Sequence, residues 1–151
     1  MKVYIDTSVI NGLLADDAPE IQEKTKRFFA RVSGHELAVY ISGTVVAEIE
    51  ATPNRQRRID LLGILERYPF HILDVTEDAL QLAHEYMARG IIPLRSRADT
   101  LHIAVASVYG IEALVSWNFK HIVKHKTRLL ANAVNGEKGY GQVDLCTPEE
   151  I

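Results

Sequence analysis

The 151-residue sequence predicts an α/β fold, a three-layer α/β/α sandwich with a mainly parallel central sheet. Three observations carry that expectation. Short β-branched and aromatic runs alternate with stretches of helical periodicity along the chain, the pattern of parallel strands joined by right-handed helical crossovers. One helical stretch, introduced by Asp99 and ending at Gly110, is apolar on most of its faces, as suits a central helix covered on both sides. The first strand, Val3-Tyr4-Ile5, is apolar until it meets Asp6, so a carboxylate stands at a strand's carboxyl end, where open α/β sheets bind ligands.

Each element has its own signal. Val9, Ile10, Leu13 and Leu14 give a short helix from Ser8 to Ala15, broken by Asp16-Asp17-Ala18-Pro19. Pro19 opens a second helix with Ile21, Thr25, Phe28, Phe29 and Val32 on one face, and Gly34 ends it. Leu37-Ala38-Val39-Tyr40-Ile41 reads as the second strand, and Ser42-Gly43-Thr44 as the cap of a helix from Val45 to Ala51. Thr52-Pro53 interrupts, and Pro53 is expected to start a helix whose buried side is Ile59, Leu62 and Leu65. Phe70-His71-Ile72-Leu73 is a third strand, and Thr76 caps a helix bearing Leu80, Ala83, His84 and Met87, closed by Gly90. Ile91-Ile92-Pro93-Leu94 crosses back to Ser96-Arg97-Ala98-Asp99 and the apolar helix. Ala113-Leu114-Val115-Ser116 is a fourth strand, a last helical stretch runs to about Val134, and Asn135-Gly136 marks a turn. Val143-Asp144-Leu145-Cys146 is a final strand, expected at an edge. No repeat, low-complexity tract or linker divides the chain, so residues 1–151 are read as one domain.

The single cysteine, Cys146, has no partner for a bridge and no zinc-ligand spacing, and reads as a small apolar residue in a reducing compartment. No apolar run approaches the roughly 20 residues of a membrane span, and Met1-Lys2 leads into a strand rather than a signal-peptide core, so a cytoplasmic protein is expected. With 17 Lys and Arg against 20 Asp and Glu, the chain is no bulk polycation, and any contact with nucleic acid must be local. Of the basic clusters, Arg55, Arg57 and Arg58, and Arg95 with Arg97, border acidic candidates; the default for any one cluster is a solvated helix face.

Those acidic candidates are Asp6 after the first strand, Glu48 about one turn into the helix after the second, and Asp99 in the first turn of the central helix. Each has a quieter role open to it: a cap for Asp6, a surface ion pair for Glu48, a helix-dipole partner for Asp99. Their common placement at one sheet edge favours convergence. Carboxylates about 5 Å apart repel by roughly 3 kcal/mol per pair at an effective dielectric of 20, so a converging trio calls for a cation. Hard oxygen ligands without thiolate or imidazole favour Mg²⁺ or Mn²⁺.

The segments Val3-Tyr4-Ile5-Asp6-Thr7-Ser8, Val45-Val46-Ala47-Glu48-Ile49, Ala98-Asp99-Thr100-Leu101-His102-Ile103-Ala104 and Val115-Ser116-Trp117-Asn118-Phe119-Lys120-His121-Ile122 resemble, in order and spacing, the signatures of the PIN-domain family. The resemblance is greatest to its small VapC-like members, the toxins of type II toxin–antitoxin pairs. It implies a Mg²⁺- or Mn²⁺-dependent endoribonuclease that hydrolyses RNA phosphodiester bonds, with Asp6, Glu48 and Asp99 as metal ligands. Thr7 or Ser8 would orient Asp6 or a metal-bound water, and Asn118 would complete the site. Many relatives carry an acid near Asn118, and the neutral amide here puts a second metal in doubt. A small antitoxin and a second copy of the chain are the implied protein partners. Arg55, Arg57, Arg58, Arg95 and Lys120 are the candidates for gripping the RNA backbone.

Two other readings keep the fold: a housekeeping RNA-processing nuclease without antitoxin, and a non-catalytic module that only binds a partner. His121 and His125 are four residues apart without an intervening glutamate, which is not the zinc-protease pattern. No glycine-rich loop follows the first strand, which argues against a nucleotide-phosphate cradle. His102 is expected to be a hydrogen-bonded core residue, and Trp117 a part of the core or site wall.

Overall fold

In the computed structural model, which describes residues 1–151, strand β1 (Lys2–Ile5) lies between β2 (Ala38–Ser42) and β4 (Ala113–Val115). The strands β3 (His71–Leu73) and β5 (Asp144–Cys146) form the two edges, giving the order β3-β2-β1-β4-β5. All four pairings are parallel; Val3 faces Val39 on one side and Ala113 on the other, and Ile5 faces Val115. Val3, Tyr4 and Ile5 are wholly buried, as a central parallel strand covered on both faces requires.

The helices α1 (Thr7–Gly12) and α2 (Pro19–Ser33) connect β1 to β2, and α3 (Gly43–Glu50) and α4 (Arg55–Arg67) connect β2 to β3. From β3 the chain returns through α5 (Glu77–Ala88) and α6 (Arg97–Val108) to β4, then through α7 (His125–Lys138) to β5. Steps from β1 to β3 and from β3 to β5 cross the sheet in opposite directions, so right-handed crossovers place α1 to α4 on one face and α5 to α7 on the other. The direction reverses at the boundary of β1 and β4. There the loops leaving the two strands part to opposite faces and open a crevice at their carboxyl ends.

Most expected elements are present within a residue or two, and α6 is buried nearly all round, from Thr100 through His102 to Ser107. Three expectations fail. In α4 the most buried residues are Leu61 and Ile64; Leu62 and Leu65 pack partly buried against the core as expected, while Ile59 is 48% exposed. Two residues turn an α-helix by about 200°, so Ile59 and Leu61 cannot share a face. On α5 the stripe is Ala79, Leu82, Ala83 and Tyr86, leaving Leu80 and His84 outside. Asn135-Gly136 is not a turn: α7 runs through it and ends at Gly139, whose φ is 81°. The Asn135 amide is buried, accepting from the Tyr86 hydroxyl and donating to Ser107 Oγ at 2.9 Å and Gly141 O at 3.1 Å. These tertiary partners outweigh the local turn preference. Cys146 is free and buried, and burial pushes its thiol up to about 12.

Candidate active site

Asp6 is the first residue beyond β1. Its N–H still donates to Val115 O, and its side chain caps α1 by accepting from Ser8 N at 3.1 Å, so the capping role is real. The same carboxylate accepts the Ser8 hydroxyl on Oδ1 at 2.5 Å and the Ser116 hydroxyl on Oδ2 at 2.6 Å. It is only 4% exposed, and every hydrogen-bond donor to it is neutral. Burial holds its carboxyl above the ordinary aspartate range, and the Glu48 charge adds to the rise; His102 and the two serine hydroxyls oppose it.

Glu48 reaches the crevice from α3, whose start is fixed by Ser42 Oγ accepting from Thr44 N. Its Oε1 accepts two bonds, from Thr7 Oγ1 at 2.9 Å and His102 Nε2 at 2.7 Å. Burial pushes this carboxyl upward, but the bond and charge of His102 and the Thr7 bond outweigh it, and the net shift is downward. His102 is 1% exposed, and its Nδ1 lies 2.7 Å from the Tyr4 hydroxyl, itself 2.7 Å from Ser42 Oγ.

Asp99 lies in the first turn of α6, half-buried, with Asn118 Nδ2 donating to Oδ2 at 3.3 Å. Asn118 Oδ1 accepts from His121 N at 2.9 Å, which orients the amide so that its NH₂ group faces Asp99. Burial raises the Asp99 carboxyl, the charges of Asp6 and Glu48 raise it further, and His102 and His121 pull it back.

The sheet edge thus gathers Asp6, Thr7, Ser8, Glu48, Asp99 and Asn118. The basic candidates divide. Arg57 donates to Asn11 Oδ1 at 2.9 and 3.2 Å and to the carbonyls of Asn11 and Leu14, tying α4 to α1. Arg58 donates to Thr52 O at 2.8 Å. Arg55, Arg95 and Lys120 are exposed. Trp117 is a wall: its Nε1 donates to Thr25 Oγ1 at 2.9 Å directly over Gly12, where a Cβ would stand 2.5 Å from that oxygen. Only glycine fits beneath that bond.

Tyr4 and Ser116 were not singled out by the sequence and Ser42 only as a helix cap, though Ser42 and Ser116 stand at the carboxyl ends of apolar strands much as Asp6 does, and that position is the one readable signal. As the side chains stand, no three of the histidine, cysteine and acidic side chains converge closely enough to hold a metal ion. Serine hydroxyls occupy both Asp6 oxygens, and Thr7 and His102 share Glu48 Oε1. The donor set nonetheless fits a hard divalent cation. Asp99 feels the charges of Asp6 and Glu48, Asp6 feels that of Glu48, and the offsetting groups are His102 and His121, with no lysine or arginine among them.

Fold and site define an α/β protein with a group of carboxylates and hydroxyls at the switch point of a parallel sheet. More narrowly, the model of the PIN domain matches residues 3–120, which include Asp6, Glu48, Asp99 and Asn118, and the chain belongs to the PIN domain family. Similar solved structures include Mycobacterium tuberculosis VapC20, described as a sarcin-ricin loop cleaving toxin, at 19% identity over 79% of this chain and 92% of that one, with a TM-score of 0.60. VapBC2 from Rickettsia felis, bound to a DNA fragment from its promoter, is similar at 16% identity over 80% and 90% of the two chains, with a TM-score of 0.56. At these identities the likeness is one of fold. No curated protein matches the sequence.

Proposed function

We propose that this chain is a divalent-metal-dependent endoribonuclease and the toxin of a type II toxin–antitoxin pair. The observation that supports it most is that Asp6, Glu48 and Asp99 come from three elements to one sheet edge with only His102 and His121, and no lysine or arginine, to offset their charge. PIN-domain membership and the VapC-like fold agree with it.

Asp6, Glu48 and Asp99 would hold Mg²⁺ or Mn²⁺, and the cation supplies Lewis-acid chemistry that lowers the pKa of water and offsets charge on a phosphodiester. Ser8 and Ser116 fix the Asp6 carboxylate, and Thr7 fixes Glu48. Asn118 orients Asp99 without adding charge, which favours one cation over two. Asp99 Oδ1 accepts no hydrogen bond from the protein, which leaves it open toward the sheet edge for the cation or a water beside it. Arg55, Arg95 and Lys120 are free to meet RNA phosphates, while Arg57 and Arg58 are engaged within the fold.

Purified protein incubated with a labelled, partly structured RNA in Mg²⁺, Mn²⁺ or EDTA tests the reading. Metal-dependent cutting, abolished by Asp6→Asn and by Asp99→Asn, is the expected result. Equal cutting by wild type and both variants would point to a contaminant and remove the support for catalysis. A short antitoxin and a second copy of this chain are the partners that accompany the reading, tested by co-purification and by light scattering. No helix is long and apolar enough to cross a membrane, in keeping with a toxin that acts on RNA in the cytoplasm.

A further inference from the structure

We propose that His102 is a positioning residue for Glu48, braced from behind by Tyr4 and Ser42. The three residues and Glu48 form an unbroken hydrogen-bonded rod, from Ser42 Oγ to Tyr4 Oη at 2.7 Å, to His102 Nδ1 at 2.7 Å, and from Nε2 to Glu48 Oε1 at 2.7 Å. Its members come from four elements: the end of β2, β1, α6 and α3. The rod therefore fixes Glu48 against the sheet and against the helix that carries Asp99, rather than against its own short helix alone.

Proton bookkeeping settles which way the last bond runs. An ionised carboxylate can only accept, so Nε2 must carry the hydrogen. Nδ1 then accepts from the Tyr4 hydroxyl, which in turn accepts from Ser42; if Nδ1 is also protonated, Tyr4 accepts from it and donates to Ser42. In either arrangement Nε2–H faces Glu48, so the orientation does not depend on the charge of the ring. Tyr4 and Ser42 are wholly buried and His102 is 1% exposed, so water does not compete for the two inner bonds, and only the Glu48 end of the rod is partly open to solvent. With Thr7 also on Oε1, both protein bonds fall on one oxygen and Oε2 receives none. The rod thus presents Glu48 through a single free oxygen, the arrangement expected of a monodentate ligand. Partners one layer behind a ligand commonly govern affinity as much as orientation.

This assignment rests on Glu48 being a metal ligand, and the test separates the two claims. Mn²⁺ binding is measured by calorimetry on wild type, His102→Ala, His102→Gln and Tyr4→Phe, and the imidazole N–H of His102 is followed by ¹⁵N NMR without metal. Glutamine can place an amide N–H near the site of Nε2, and Tyr4→Phe removes only the brace, so a folding failure of His102→Ala leaves two variants to decide. The expected outcome is about tenfold weaker Mn²⁺ binding in His102→Ala, substantial recovery in His102→Gln and a smaller loss in Tyr4→Phe. In the metal-free wild type a protected Nε2–H resonance should shift on Glu48→Gln. Mn²⁺ affinity equal to wild type in His102→Ala and Tyr4→Phe would overturn the positioning role and leave the metal reading intact. A wild type that binds no Mn²⁺ but shows the protected resonance would overturn the metal reading while supporting the rod. Absence of the resonance would overturn the rod itself.

Discussion

Ser116 donates its hydroxyl to Asp6 Oδ2 at 2.6 Å, joining the carboxyl ends of the two central strands at the point where the chain reverses direction across the sheet. The Ser116 hydroxyl oxygen also accepts from Asn118 N at 2.9 Å, so one small side chain sets both Asp6 and the turn that carries Asn118. Its replacement leaves a buried carboxylate short of a donor. Ser116→Ala is expected to cost about 2 kcal/mol of stability at pH 7, the loss of a hydrogen bond to a charged group, and to raise the Asp6 carboxyl further. Urea unfolding at pH 7 checks the first and a carboxyl-carbon NMR titration the second.

Asp99 and Glu48 should respond to neutralisation in opposite directions. The Asp99 carboxyl is raised in the folded protein, so its ionisation costs stability as the pH climbs from the ordinary aspartate value through the raised one. Asp99→Asn therefore raises the Tm of metal-free protein by a few degrees at pH 7, and the gain largely vanishes near pH 4, about the unperturbed value. Thermal melts in EDTA at the two pH values provide the check. Excess Mn²⁺ should reverse the order, because binding stabilises the wild type by about 2.7 kcal/mol at a hundred times its Kd and the variant by less.

The Glu48 carboxyl is lowered, so it contributes stability that is present above its ordinary value and lost as the pH falls through the folded one. Glu48→Gln is expected to destabilise metal-free protein at pH 7 by about 1 kcal/mol, through loss of a charge-assisted bond from His102. The difference should shrink in acid. Chemical denaturation across pH 3 to 8 would show it, and a stabilised variant at pH 7 would contradict the assigned geometry.

Arginines that look alike in the sequence should separate by experiment. Arg57 makes four hydrogen bonds that tie α4 to α1, and Arg57→Ala should cost about 2 kcal/mol of stability. Arg55→Ala and Lys120→Ala, at exposed positions, should leave the Tm within experimental error. Each should reduce the slope of log affinity against log salt for single-stranded RNA by about 0.7. Filter binding by the catalytically silent Asp6→Asn background at several salt concentrations measures that slope.

The sequence by itself determined the alternation of strands and helices, the parallel three-layer class, the buried character of the helix after Asp99, and the placing of Asp6, Glu48 and Asp99 near one sheet edge. These are local properties: apolar periodicity, capping residues, and the position of a charged residue relative to an apolar run. The tertiary structure alone decided where Asn135-Gly136 lies, because Tyr86 and Ser107 lie 49 and 28 residues away in sequence. It alone divided Arg57 from Arg55, since a guanidinium's partners on another helix leave no trace in its own neighbourhood. It also turned His102 from an unremarkable buried histidine into the link between Tyr4 and Glu48, residues 98 and 54 positions distant. Periodicity reports which face of an element is buried; which polar atoms meet there depends on how four separate elements are brought to one edge.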